Sequence, residues 1–211
     1  MNDAHILSRS SKTPTQERGE RRVADLLHSA EHLFETDGYE RTTMSGIAHH
    51  AGASVGSLYQ FFPSKENIGL ALLLRYMDEI SEQLEQCKAN LPNTPKELAR
   101  RLVSIILDYV ERRPVWAILS EVPALMPHRH AIDRLSEIIG TLLSSYAPSI
   151  KARELSAVSM AASLMIRATI QGIRLVDPRE RTTLRREMQR ALGCYLEERL
   201  GIAGRRASET R

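Results

Sequence analysis

Apolar positions in this chain recur every three to four residues and never alternate over a convincing run, which is the period of a helix and not of a strand. The first stripe, Val23, Leu26, Leu27, Ala30, Leu33 and Phe34, runs through residues 17–36 and stops at Asp37-Gly38, where glycine suits a left-handed cap. Two short helices are predicted next. One runs from Met44 to His50 with Thr43 as its N-cap, the other from Val55 to Phe62 with Ser54 as its N-cap. Ile47 and Ala48 point inward on the first; Leu58 and Phe62, four apart, share the inner face of the second. Pro63 stops it. Ser64 then opens a fourth helix to about Lys88, with Leu70, Leu73, Leu74, Met77, Ile80 and Leu84 as its stripe.

The segment from Asn90 to Pro95 reads as a loop, and Thr94-Pro95-Lys96-Glu97 as a helix start: cap residue, proline at the first position, glutamate at the third. That helix reaches about Arg113. Pro114 opens a shorter one through Ser120, and Pro123 and Pro127 break the chain around Leu125-Met126. Further helices are expected over His128 to Tyr146, over Ser149 to Val176, and from beyond Asp177-Pro178 to about Leu200. The expected fold is therefore all-α with about nine helices: an N-terminal three-helix unit and a larger helical domain. The boundaries read as a mobile arm over 1–16, a first domain over 17–66, a second over 67–200 and a flexible tail over 201–211.

Composition removes several function classes. No apolar run approaches the roughly 18 residues of a membrane span, and the N-terminus lacks the apolar centre of a secretory signal, so a cytoplasmic protein without a membrane partner is expected. Cys87 and Cys194 read as two free thiols. The net charge of +3 is unevenly spread: −1 over residues 1–65, −2 over 66–150 and +6 over 151–211. Bulk charge thus gives no argument for nucleic acid at the N-terminal end. No nucleophile–base pair, metal-ligand spacing or phosphate-cradling glycine loop is present, so no enzyme, metal or cofactor is expected. His49-His50 are neighbours that point about 100° apart on a helix, and His128-Arg129-His130 reads as a solvated helix start.

The chemistry lies in Ala51-Gly-Ala-Ser-Val-Gly-Ser57. Two two-turn helices joined by a glycine-containing turn have the helix-turn-helix layout, over about 43–62, whose second helix lies in the DNA major groove. Ser54, Val55, Gly56 and Ser57 carry almost no bulk, so the first turn can approach a duplex closely and offer its free N–H groups to phosphate. Tyr59 can reach a phosphate oxygen with its hydroxyl, and Lys65 can bind the backbone as a point charge. A small helical turn with buried aromatics and no partner would have the same composition. The wider pattern decides between them. Thr42, Thr43, Met44, Ile47, Ala48, Ala51, Gly52, Ser54, Gly56, Leu58, Tyr59, Phe62, Ser64, Lys65 and Glu66, with Leu33-Phe34 and Gly38-Tyr39 upstream, resemble in register the N-terminal domain of TetR-type transcriptional regulators. The resemblance covers about Arg21 to Leu72.

That resemblance implies DNA contacts from Thr43 and Ser45 on the second helix, from Ser54, Val55, Gly56, Ser57 and Tyr59 at the third, and from Lys65 to phosphate. Two positions depart from the family pattern. Gly46 stands where an acidic residue often completes a capping box, and Ser45 where a basic residue is common. Few side-chain contacts to bases follow, with sequence choice resting on Ser57, Thr43, the Val55 methyls and DNA shape.

In the larger domain, proline-broken short helices gather Tyr109, Trp116, Leu119 and Met126. With Leu74 and Met77 of the fourth helix and Arg167, these are the candidate lining of a pocket for a small lipophilic effector; plain core is the competing use. Arg167 and Arg174 suit either an anionic ligand or an ion pair. For a homodimer, the last two long helices offer Met160, Leu164, Ala168, Leu184, Met188, Leu192 and Tyr195. The expected function is a dimeric repressor that binds double-stranded DNA at a near-palindromic operator and is released by that effector. A helical interaction module without DNA binding is the alternative.

Overall fold

The computed structural model describes residues 14–125 and 128–208. Among these the chain forms nine helices and no strand: α1 Pro14–Thr36, α2 Met44–His50, α3 Val55–Phe61, α4 Lys65–Lys88, α5 Pro95–Glu111, α6 Pro114–Ser120, α7 His128–Tyr146, α8 Ala152–Leu175 and α9 Arg181–Ser208. The chain divides into two compact units between Ala71 and Leu72. α1 begins at Pro14, inside the stretch expected to be an arm, and the remainder of that stretch, 1–13, lies outside the described residues. α9 runs through Gly201 to Ser208, past its expected end, and 209–211 lie outside the described residues.

In the first unit, α2 packs on α1 and α3 on α2. Leu26, Ala30 and Phe34 of α1, Ile47 and Ala48 of α2, and Leu58 of α3 are fully buried, with Phe62 nearly so. Burying a side chain of leucine or phenylalanine size contributes about 1.5–3 kcal/mol.

The second unit is built on an antiparallel seam between α5 and α9. α5 buries Leu98, Leu102 and Ile106 at helical spacing; α9 buries Leu192, Leu196 and Leu200. Polar pairs along the seam run in opposite chain directions: Lys96 with Glu197 at 2.6 Å, Gln189 Nε2 donating to Ser104 Oγ at 3.0 Å, and Arg185 with Asp108 at 2.6 Å. Gly193 sits at a close approach of the seam. A Cβ there would lie 3.3 Å from the Cα of Lys96. α7 packs on α8, and α8 on α9.

α4 corrects one expected face. Leu70 and Leu74 are 42% and 50% exposed, whereas Ile68, Leu72, Tyr76, Ile80 and Leu84 are buried. The stretch from Ile68 to Met77 is apolar on nearly every side, so periodicity alone does not choose its inner face.

One polar cluster joins α4, α5 and the turn before α6. Glu79 Oε2 accepts from the Tyr109 hydroxyl and from Arg113 Nη2, both at 2.7 Å. The Arg113 guanidinium lies 5.5 Å from the Tyr109 ring centre and 5.9 Å from that of Tyr76. Burial alone would push the Glu79 carboxylate up, but the hydrogen bonds from Tyr109 and Arg113 outweigh it and hold it below its ordinary value. Burial, with the neighbouring carboxylate, pushes the Tyr109 phenol well above its ordinary value. Because the folded carboxylate titrates below the ordinary 4.5, its stabilisation is fully present above that pH and is lost as pH falls through the folded value. We expect Glu79→Gln, which keeps an acceptor and removes the charge, to cost about 1–3 kcal/mol at neutral pH. The variant should also lose less stability than the parent between about pH 5 and 3. Thermal unfolding at several pH values checks both, and parallel pH profiles would remove the role assigned to this carboxylate.

Candidate nucleic-acid interface

The turn between α2 and α3 is closed by backbone geometry. The amide of Gly52 donates to the carbonyl of His49 at 3.1 Å, and that of Ala53 to Ala48 at 2.9 Å. This is the pair of hydrogen bonds of a Schellman motif, which needs a left-handed residue at its centre. Gly52 supplies it with φ +60°. The next helix is then capped by Ser54, whose Oγ accepts from the Ser57 amide at 3.1 Å. α2 starts in the same way: Thr43 Oγ1 accepts from the Gly46 amide at 3.1 Å and lies 3.2 Å from Ser45 Oγ.

The leading edge of α3 is open. Ser54, Val55 and Gly56 are exposed, Ser57 partly so, and Tyr59 is 50% exposed on the next turn. A Cβ built on Gly56 meets no atom within 4 Å, so nothing inside the protein requires glycine there. The amides of Val55 and Gly56 have no acceptor within the helix, since the first N–H groups of any helix lack one. Directly behind this edge, Leu58 is fully buried. The surface is thus thin, rigid at its base and free of bulk. Thr43 and Ser45 are exposed at the start of α2.

Lys65 is used differently from its expected role at phosphate. Its ammonium donates to the carbonyls of Tyr39 at 2.7 Å, Thr42 at 3.1 Å and Glu40 at 3.2 Å, and lies 4.4 Å from the Tyr39 ring centre. An ammonium has three donors, and here each faces a carbonyl. The side chain therefore ties the turn between α1 and α2 to the first residue of α4. A phosphate would have to displace one of these carbonyls. The Tyr39 phenol beside it is pushed up to about 12, chiefly by burial and then by the nearby Glu66 and Glu40 carboxylates.

The second unit holds a cavity of about 420 Å³, within the range of small-molecule sites. Met77 of α4, Trp116, Ser120 and Glu121 at α6, Leu135 of α7, and Ser163, Arg167, Ile170, Gln171, Arg174 and Leu175 of α8 line it. Arg174 Nη2 meets Glu121 Oε1 at 2.5 Å, and its Nη1 approaches the Ala117 carbonyl at 3.4 Å.

Comparison with known proteins places this arrangement. Residues 26–72 match the family model described as bacterial regulatory proteins, tetR family. The HTH-type transcriptional activator FasR of Mycolicibacterium smegmatis is 35% identical over 94 residues, covering 44% of this chain and 42% of FasR, so the match spans less than half of that relative's length. The nucleoid occlusion factor SlmA of Photobacterium profundum is 30% identical over 138 residues, covering 64% of this chain and 70% of SlmA. The chain belongs to the TetR family. A TetR-family regulator from Streptomyces coelicolor shares the fold, with a TM-score of 0.68 at 20% identity over 86% of this chain and 99% of that one.

Within this TetR-family chain the expected DNA-contact residues other than Lys65 are all exposed, Ser57 partly so. Phe61, 38% exposed, lies beside them and was not anticipated, because an aromatic at a helix end reads as core. Of the expected pocket residues, Met77, Trp116 and Arg167 line the cavity. Leu74 is turned outward, Tyr109 and Leu119 are buried elsewhere in the core, and Met126 lies outside the described residues. Ser163, Arg167, Ile170 and Arg174 recur at helical spacing, a signal that could have found the α8 wall. Of the expected dimer residues, Leu164 is 46% exposed and Ala168 is exposed; Met160, Leu184, Met188 and Tyr195 are partly exposed. Leu192 corrects its expectation: it is fully buried in the protomer's own core, on the face α9 turns to α5.

Lys65→Met keeps the aliphatic stem and removes the ammonium. We expect it to lower the stability of the first unit by about 2 kcal/mol, the scale of hydrogen bonds to a charged group. Amide exchange of the α2 residues reads this directly, and unchanged protection would show that the three carbonyl contacts hold nothing in place.

Proposed function

We propose that this TetR-family chain is a DNA-binding transcriptional regulator that reads operator DNA with the first turn of α3. It acts as a homodimer in the cytoplasm and is released from DNA by a small lipophilic effector. The observation that carries the reading is the α3 leading edge: exposed, capped, and built with a glycine that the fold itself does not require. Lack of bulk at that edge lets main chain approach a duplex, where Ser57 and Thr43 meet base edges and the Tyr59 hydroxyl meets phosphate. Thr43 Oγ1 accepts the Gly46 amide and lies beside Ser45 Oγ, so its methyl is the group it can present to DNA without giving up either contact.

The outer face of α8 supports the dimer. Leu164 and Ala168, four positions apart, share it and are exposed. Pairing such a face with its twofold copy would set two α3 segments on a near-palindromic site. An effector that fits only a DNA-incompetent form would shift the population away from the operator. No catalytic role is proposed. Among the described residues, no group of three His, Cys, Asp or Glu side chains could hold a metal ion, and no helix is long and apolar enough to cross a membrane.

The test begins with DNA selected from a random pool by the purified protein. Gly56→Ala should leave the fold at least as stable, since alanine favours a helix over glycine by about 1 kcal/mol. It should weaken the selected complex roughly tenfold through steric crowding at the interface. Tyr59→Phe should weaken binding to all sequences alike. A protein that selects no DNA, or a Gly56→Ala variant that binds as well as the parent, counts against the reading and favours an interaction module. FasR is named an activator, so the sense of regulation is read from a reporter fused to the selected site, with repression expected.

A further inference from the structure

Outside its core contact, α3 carries three rows of residues. Successive residues of a helix lie about 100° apart, so residues four apart share a row. Leu58, fully buried, marks the inner side. Val55 and Tyr59 form one flank, Ser57 and Phe61 the other. Gly56 and Gln60 form the row between them. Each stands about 160° round the helix from Leu58, directly away from the core, and both are exposed. When the inner side is held by the protein, this middle row goes deepest into a groove. Gly56 has no side chain to read with, which leaves Gln60 alone on that row. The rings of Tyr59 and Phe61, 50% and 38% exposed, flank it. A helical side chain leans toward the turn before its own Cα. For Gln60 that turn holds bare Gly56, where an added Cβ would meet no atom within 4 Å, so the approach to the amide from that side is clear. The amide has two donor hydrogens and an acceptor oxygen, and among the described residues no hydrogen bond engages them. In the major groove an adenine edge presents one donor and one acceptor, N6 and N7, which one face of a glutamine amide complements.

We infer that Gln60 is a specificity-determining side chain of this regulator and reads one adenine in each half-site, through paired hydrogen bonds to N6 and N7. This rests on the reading of α3 as the helix that enters the major groove, and adds to it the base that is chosen. Gly56 and Gln60 then work as a pair: the first lets the main chain come close, and the second uses that closeness to reach a base edge.

The test selects sites from a random DNA pool with the full chain and with variants at this exposed position, and reads them by sequencing. The parent should prefer adenine at one position of each half-site by about tenfold. Gln60→Ala should lose that preference and keep the others. Gln60→Arg should move it from adenine to guanine, whose O6 and N7 suit a guanidinium; misfolding cannot imitate such a change of choice. Replacing the chosen adenine by 7-deazaadenine, which lacks the N7 acceptor, should weaken the parent severalfold and leave Gln60→Ala unchanged. Parent and Gln60→Ala should show the same dependence of affinity on salt, because a neutral amide on a base displaces no counterion. If Gln60→Ala selects the parent's bases at every position, the inference is overturned and DNA binding stands. Equal weakening of Gln60→Ala on all sequences overturns it too, since that is the mark of a phosphate contact. A parent chain that selects no DNA removes the groove reading of α3 and this inference with it, so the two failures are told apart.

Discussion

Two helices of seven residues are too short to hold their shape in water, because nucleating a helix costs more than two turns return. The DNA-reading head therefore depends on how α2 and α3 are docked. Ile47, Ala48 and Leu58 are fully buried and Phe62 nearly so, and this burial is what docks the two short helices. The caps then fix direction. Thr43 and Ser54 tie down the first amides of each helix, and the Gly52 turn sets the angle between them. The Lys65 ammonium adds a third constraint from outside the motif, gathering the carbonyls of Tyr39, Glu40 and Thr42 in the backbone just ahead of α2. The result is an edge that is firm because of what lies behind it, with nothing on its outer side to keep other molecules away.

The second unit places its polar chemistry in two distinct ways. Around Glu79, a carboxylate, a phenol and a guanidinium satisfy one another at 2.7 Å, with aromatic faces beneath the charge. Such a cluster ties α4 to α5 and leaves little unmet electrostatic demand. Around Arg174 the balance is looser: the pair with Glu121 is partly solvated and borders an open volume. Ion pairs of the second kind contribute little to stability. They are correspondingly easy to exchange for another partner.

How much of this was legible in the sequence follows the range of the interactions involved. The two short helices, their caps and the glycine turn are set by residues within five positions of one another, and Thr43, Ser54 and Gly52 stand where local chemistry needs them. The inner face of α4 was legible in part: Leu73, Met77, Ile80 and Leu84 are buried as expected, but Leu70 and Leu74 are as apolar as Leu72 and Leu73, and only tertiary packing separates them. The same holds for Leu192, one of several apolar residues that α9 distributes over two faces. Lys65 was read as a surface charge because its three acceptors lie 23 to 26 positions away and are main-chain atoms, which leave no mark in a side-chain pattern. The cavity joins residues from Met77 to Leu175, so its α8 wall was visible as a periodicity but its other walls were not.

The tight point at Gly193 has a mechanical meaning. Where α9 crosses the start of α5, Gly193 contributes no side chain, and the Cα and Cγ of Lys96 would both lie 3.3 Å from a Cβ placed there. Sliding α9 by one turn would bring Gln189 or Glu197 to that spot, and neither fits against the Lys96 main chain without prising the pair apart. The seam thus behaves as a keyed joint: α5 and α9 can move as one body, but not ratchet past each other. Any rearrangement inside this unit has to be taken up by other helix pairs.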